Sequence, residues 1–236
     1  MSLSHEFLSF NSREEATQFA TRFIQGGLTK ALESKATASL MVSGGSTPGG
    51  VFDALTETGL DWSRVIVGLV DERWVNPEDE ASNERLVRNR LLKGQAGAAG
   101  FLPMKTLGDA PQTAVEDRHR AYGPHCEPAD VVLLGMGEDG HTASWFPNSG
   151  GLAEALESSG VIAAINAEGC PVAGNHTQRM TLTGRAVTEA ASAILLIFGA
   201  SKKDVYDKAL SSPVEEMPVR HAIDKLGPRL TVVWAA

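Results

Sequence analysis

Between residues 12 and 32, Ala16, Phe19, Ala20, Phe23, Ile24, Leu28, Ala31 and Leu32 recur at three- and four-residue steps, and Ser12 and Glu15 have the spacing of a capping box. This pattern predicts an amphipathic helix laid on a flat layer. A different pattern follows: short, continuous apolar runs at 38–42 (ASLMV), 65–70 (VIVGLV), 131–134 (VVLL), 161–165 (VIAAI), 193–198 (AILLIF) and 230–234 (LTVVW). Such runs are too short for core helices and read as strands buried on both faces. Helix-like stretches at 49–58, 82–92, 113–122, 152–157 and 202–210 fall between many of them. The alternation predicts an α/β fold, Rossmann-like and layered, with a mainly parallel sheet flanked by helices. Without an internal repeat, a low-complexity tract or a long linker, one domain over residues 1–236 is expected.

In open parallel sheets ligands bind beyond the carboxyl ends of the strands, so the residues after each apolar run carry the functional reading. After 38–42 comes Ser43-Gly44-Gly45-Ser46-Thr47-Pro48. Thr47 is placed to cap a helix and Pro48 to open it, and exposed amides beside hydroxyls form a phosphate cradle. An ordinary strand-to-helix turn has the same residues, and the Lys-Ser/Thr pair of a P-loop is absent. After 65–70 comes Asp71-Glu72-Arg73-Trp74, two carboxylates and a guanidinium suited either to a ligand anion or to a local ion pair. Ser82 and Asn83, further on, read as helix caps.

After 131–134 the chain runs Gly135-Met136-Gly137-Glu138-Asp139-Gly140-His141-Thr142-Ala143-Ser144-Trp145-Phe146-Pro147. The first six positions match GxGxxG, but Pro147 and Asn148 stop any long helix, and no acid stands at the tip of a following strand as a dinucleotide site requires. The segment reads as a turn presenting Asp139 and His141, and histidine suits acid–base work near neutrality. In Gln178-Arg179-Met180-Thr181-Leu182-Thr183, alternation sets Arg179, Thr181 and Thr183 on one face. After 193–198, Ser201 is read as a cap and Lys202 falls in the first helical turn, where a cation is disfavoured unless an anion binds nearby.

Composition narrows the choices. The 21 Lys+Arg against 29 Asp+Glu give −8, which disfavours nucleic acid, since a duplex must be met by a basic face, although a small anion held by local cations stays possible. Cys126 and Cys170 are too few for a disulfide framework and lack zinc spacing. No apolar run approaches the roughly 20 residues of a membrane span, and MSLSHEFLSF has no basic segment followed by an apolar one. A cytoplasmic protein without membrane association, metal or nucleotide cofactor is expected, as a monomer or small homo-oligomer. Neither a GxSxG elbow nor HExxH is present.

Taken together and in order, SGGSTPGGVFDAL, DERWV with SNERLVRNRLL, LLGMGEDGHTASWFP, QRMTLT and GASKK resemble the 6-phosphogluconolactonases. That family is similar to the glucosamine-6-phosphate deaminases, which typically have a tyrosine after the Asp-Glu pair and a further acid after their own DGH. Here Arg73 and Ser144-Trp145-Phe146-Pro147 stand at those places. The resemblance implies hydrolysis of 6-phospho-D-glucono-1,5-lactone to 6-phospho-D-gluconate in the oxidative pentose phosphate pathway. By position, it implies that Gly44, Gly45, Ser46 and Thr47 with Arg179 and Lys202 hold the phosphate. It implies that His141 is the base, with Asp71, Arg73 and Asp139 nearby. Two competing expectations are a glucosamine-6-phosphate deaminase-like enzyme and a non-catalytic sugar-phosphate sensor. Residues 169–176 are a candidate lid.

Overall fold

A computed structural model describes residues 5–236. The first four residues, part of the N-terminal segment read above for a leader, lie outside the described residues. The amino-terminal half of the chain forms β1 (Glu6–Phe10), α1 (Arg13–Leu32), β2 (Ala38–Val42), α2 (Gly49–Leu55), β3 (Val65–Leu69), β4 (Asp71–Arg73), α3 (Asn83–Arg90), β5 (Gly100–Leu102) and α4 (Val115–Cys126). It continues as β6 (Val131–Leu134), α5 (Leu152–Glu157), β7 (Ile162–Asn166), β8 (Gln178–Leu182), α6 (Gly184–Thr188), β9 (Ser192–Phe198), α7 (Ala200–Ala209), α8 (Val219–Leu226) and β10 (Leu230–Ala235).

Seven strands form one sheet in the order β1-β10-β9-β6-β2-β3-β5, and every neighbouring pair is parallel. Leu40, Val67, Val131, Leu133, Leu195 and Val232 are fully buried or nearly so, because helices cover both faces of the sheet. Helix α1 packs across β2, β6, β9 and β10 through Ala16, Ala20, Ile24 and Leu28. Its start follows the expected box with one shift: Ser12 Oγ accepts from the Glu15 amide at 3.1 Å, but Glu15 Oε2 accepts from Asn11 N–H at 3.2 Å instead of from Ser12.

Several expectations are corrected. The 161–165 run belongs to a second, antiparallel sheet of order β4-β8-β7, and DER, read as the polar end of a strand, is one of its two edge strands, β4. A continuous apolar run reports burial on both faces and not strand direction, so periodicity could not separate the two sheets. Strand β1, in the segment examined only for a leader, pairs with β10, and the three-residue β5 is too short to show a pattern. Helices α6 and α8 were not anticipated. Helix α2 begins at Gly49 with Pro48 at its N-cap and no side-chain cap, so Thr47 does not cap it. Gly199, not Ser201, is the N-cap of α7. Thr183 has left β8 and caps α6 by accepting from Ala186 N–H.

At the sheet edge Tyr122 substitutes for ladder pairing that the short β5 cannot supply. Its buried hydroxyl accepts from Leu69 N–H at 3.1 Å and donates to Leu102 O at 2.9 Å. Burial drives the phenol pKa far upward, so the hydroxyl stays a donor. Tyr122→Phe leaves the buried Leu69 N–H and the half-buried Leu102 carbonyl without the phenol and is expected to cost about 1–3 kcal/mol in chemical denaturation; an unchanged midpoint would show that neither group depends on the phenol.

Candidate active site

The sheet reverses its winding between β2 and β6. From β2 the chain moves outward to β3 and β5, and from β6 it moves the other way to β9 and β10. The loops leaving these two adjacent strands diverge and open a crevice at their carboxyl ends. A cleft of about 320 Å³ lies there. It is lined by the Ser43–Thr47 loop, by Asp71 and Arg73 from β4, by Gly135–Gly137 and His141 from the turn after β6, by Arg179 from β8 and by Lys202 from α7. Of the sequence-predicted site residues, Gly44, Gly45, Ser46, Thr47, Asp71, Arg73, His141, Arg179 and Lys202 are thus brought together.

Asp139 stands behind this wall. Its Oδ1 lies 2.6 Å from His141 Nδ1 and also accepts from His141 N–H at 3.1 Å. An ionised carboxylate only accepts, so Nδ1 carries the hydrogen, and in the neutral form of the ring the lone pair is on Nε2. Burial pushes the Asp139 carboxyl up, but the hydrogen bonds and charge of His141 outweigh it and hold the pKa below the usual value. The turn closes through Gly137 N–H to His141 O at 2.8 Å and Gly140 N–H to Gly137 O at 3.2 Å. Gly137 has no room for a side chain: a Cβ there would lie 2.1 Å from His141 Nδ1 and 2.7 Å from Asp139 Oδ1. Just beyond, Ala143 is held at φ 51, a left-handed conformation that costs a non-glycine residue energy and marks a constrained wall.

Phe146 joins His141 to Arg179. Its ring is centred 4.3 Å from the His141 ring, and the Arg179 guanidinium carbon sits 5.3 Å from the same centroid. Arg179 is only 4% exposed, with Nε donating to His176 O at 2.5 Å, Nη2 to Ala173 O at 3.1 Å and Nη1 lying 3.9 Å from Asp71 Oδ2. Burial pushes its pKa down to about 10, opposed by Asp71, so it remains a cation at neutrality. The carbonyls that hold it belong to the 169–176 segment, whose Val172 also lines the cleft. Arg73 donates through Nη1 to Ala81 O at 2.6 Å. Three cations against Asp71 give the cleft a positive character within a chain of net charge −8.

Sequence reasoning missed the residues that hold this wall in place. Glu72, buried and read only as part of DER, accepts from the N–H groups of Arg73, Asn83 and Glu84, each at 2.8 Å, and from Ser82 Oγ at 3.0 Å. Burial nevertheless pushes its carboxyl upward from the ordinary value. Ser82 is the side-chain cap of α3, accepting from Arg85 N–H, while Asn83 does something else. Its Nδ2 donates to Asp71 O at 2.8 Å and lies 3.3 Å from Asp71 Oδ1, and its carboxamide fills the space beside Gly44, where a Cβ would lie 1.9 Å from Asn83 Oδ1. Gly44 is therefore required by Asn83. Ser144, fully buried, donates to Asp71 Oδ2 at 2.6 Å. A hydrophilic residue inside an otherwise apolar ASWF string was the available signal.

Residues 11–234 match the family model described as glucosamine-6-phosphate isomerases/6-phosphogluconolactonase. The chain is similar to the 6-phosphogluconolactonase of Xylella fastidiosa, 39% identical over 230 residues covering 97% of this chain and 95% of that one. It is 42% identical to that of Rhizobium meliloti over 209 residues, 88% and 89% of the two chains. The crystal structure of a 6-phosphogluconolactonase from Shewanella baltica superposes with a TM-score of 0.93 at 36% identity, covering all of both chains. A monomeric glucosamine-6-phosphate deaminase shares the fold, with a TM-score of 0.77 at 19% identity over 98% of this chain and 97% of that one. By the extent of these matches, the chain belongs to the family of glucosamine-6-phosphate isomerases and 6-phosphogluconolactonases.

Proposed function

We propose that this protein hydrolyses 6-phospho-D-glucono-1,5-lactone to 6-phospho-D-gluconate, the lactone-opening step of the oxidative pentose phosphate pathway. The observation that carries the reading is the placement of an Asp139-oriented imidazole in the same cleft as Arg179, Lys202 and the Gly44–Thr47 backbone. The phosphate sits between the loop after β2 and the two cations. Its distance from the reacting carbonyl fixes that carbonyl in the cleft, so anchoring energy is converted into orientation.

His141 Nε2, with its lone pair free, takes a proton from water as the water oxygen bonds to the carbonyl carbon. The carbonyl electrons move onto oxygen, and the resulting oxyanion is met by Arg73, whose guanidinium is steadied from behind by Ala81. The Gly137 and Gly140 amides of the 135–140 turn are already spent on the turn itself and do not meet the oxyanion. Collapse re-forms the carbonyl, breaks the bond to the ring oxygen and returns the proton from His141 to that oxygen. Asp139 keeps the imidazole in one tautomer and stabilises it while it is charged. Asp71, held by Ser144 and Asn83, faces the sugar hydroxyls.

His141→Ala is expected to lower kcat by about 10²–10⁴-fold in a lactone-decay assay corrected for spontaneous opening; turnover close to wild type contradicts the assigned base, and ammonia release from glucosamine 6-phosphate would favour a deaminase instead. Arg179→Ala and Lys202→Ala are expected to raise KM and weaken competition by inorganic phosphate, with kcat less affected; unchanged KM in both removes the anion socket. Gly137→Ala, which drives a methyl into the imidazole, is expected to lower kcat while phosphate still competes as in the wild type, and loss of both together would mean that the turn has collapsed as a whole.

A further inference from the structure

Glu138 lies between Gly137 and Asp139 in the turn that carries His141, and nothing in the chemistry above uses it. Its Oε1 reaches Lys202 Nζ at 3.1 Å across the rim of the cleft. The two partners are unequally placed: the lysine side chain is 21% exposed and the glutamate 56%. Lys202 stands in the first turn of α7, where the helix dipole disfavours a cation unless an anion is close by. In the free protein Glu138 is that anion. The other cleft cations are held differently, Arg73 by the Ala81 carbonyl and Arg179 by the carbonyls of Ala173 and His176, with Asp71 3.9 Å away. Among the described residues, Lys202 is thus the one cleft cation in a close ion pair with a solvent-exposed carboxylate.

We propose that Glu138 is an intramolecular competitor for the substrate's phosphate. It occupies Lys202 in the free enzyme, turns out into solvent when the phosphate arrives, and retakes the lysine as product leaves. This rests on the reading of Lys202 as a phosphate ligand. The exchange has a built-in preference. A monoanion replacing the glutamate trades one negative charge for one, whereas a phosphate ester brings about −1.5 to −2 and further acceptor oxygens, and so gains by the replacement. Because both substrate and product carry the phosphate, the same competition weakens the hold on each, which favours release of the opened acid. The magnitude fits tuning and not blockade, since exposed pairs of this kind are worth little.

The test is calorimetric titration of inorganic phosphate at low ionic strength into wild type, Glu138→Gln, Lys202→Ala and the double variant, with lactone hydrolysis measured on the same preparations. Glu138→Gln is expected to bind phosphate about two- to fivefold more tightly. That gain should disappear in the Lys202→Ala background and shrink as salt is added. Unchanged or weaker binding by Glu138→Gln overturns the proposal. So does a gain that survives without Lys202, which would be a general effect of removing negative charge. A wild type that hydrolyses the lactone but binds no phosphate overturns the competitor and the socket while leaving the activity standing. A wild type without hydrolysis, whose Glu138→Gln variant still shows the Lys202-dependent gain, supports the competitor and removes the activity.

Discussion

The site depends on a constraint of sheet topology: β2 and β6 lie side by side, with Leu40, Met41 and Val42 opposite Val131, Val132 and Leu133, and the chain leaves the two strands in opposite directions. No helix can cover the gap between exits that diverge, so a crevice forms there whatever the side chains are. This chain fills the two exits with complementary chemistry. One supplies backbone amides and hydroxyls from Ser43 to Thr47, and the other supplies a glycine turn that aims an imidazole. Everything else that reaches the cleft is added around that pair.

The additions come from the second sheet. β4 and β8 pair antiparallel with Asp71 opposite Thr181 and Arg73 opposite Arg179, which brings a carboxylate and two guanidiniums to the same end of the molecule as the crevice. Such a group of charges must be held against its own mobility. Glu72 ties β4 to the start of α3, Asn83 wedges between Asp71 and Gly44, and Phe146 packs against both His141 and Arg179. The positions of the charged groups of the cleft are therefore set by buried polar and aromatic neighbours.

That division explains what could be read from the residues alone. The α/β class and five of the strands of the parallel sheet were legible, because continuous apolar runs report burial. The residues that follow those runs were legible as site candidates, because open parallel sheets bind ligands beyond the carboxyl ends of their strands. The separate antiparallel sheet was not legible: Val161 to Ile165 is as apolar as any strand of the main sheet, and direction leaves no trace in hydrophobicity. Strand β1 was hidden because its neighbour β10 lies at the far end of the chain. Asn83 and Glu72 were hidden for another reason. A residue beside a helix start has a sufficient local explanation as a cap, and only the fold reveals that Glu72 accepts the cap amides while Asn83 turns toward Asp71.

The decisive quantity is a distance. A crystal structure with 6-phosphogluconate bound should show its phosphate among Gly44–Thr47, Arg179 and Lys202, with the C1 carboxylate carbon within about two hydrogen-bond lengths of His141 Nε2, close enough for one bridging water. A phosphate held in that socket with C1 directed away from the imidazole, beyond the span of a single water, would contradict the assignment of His141 as the base.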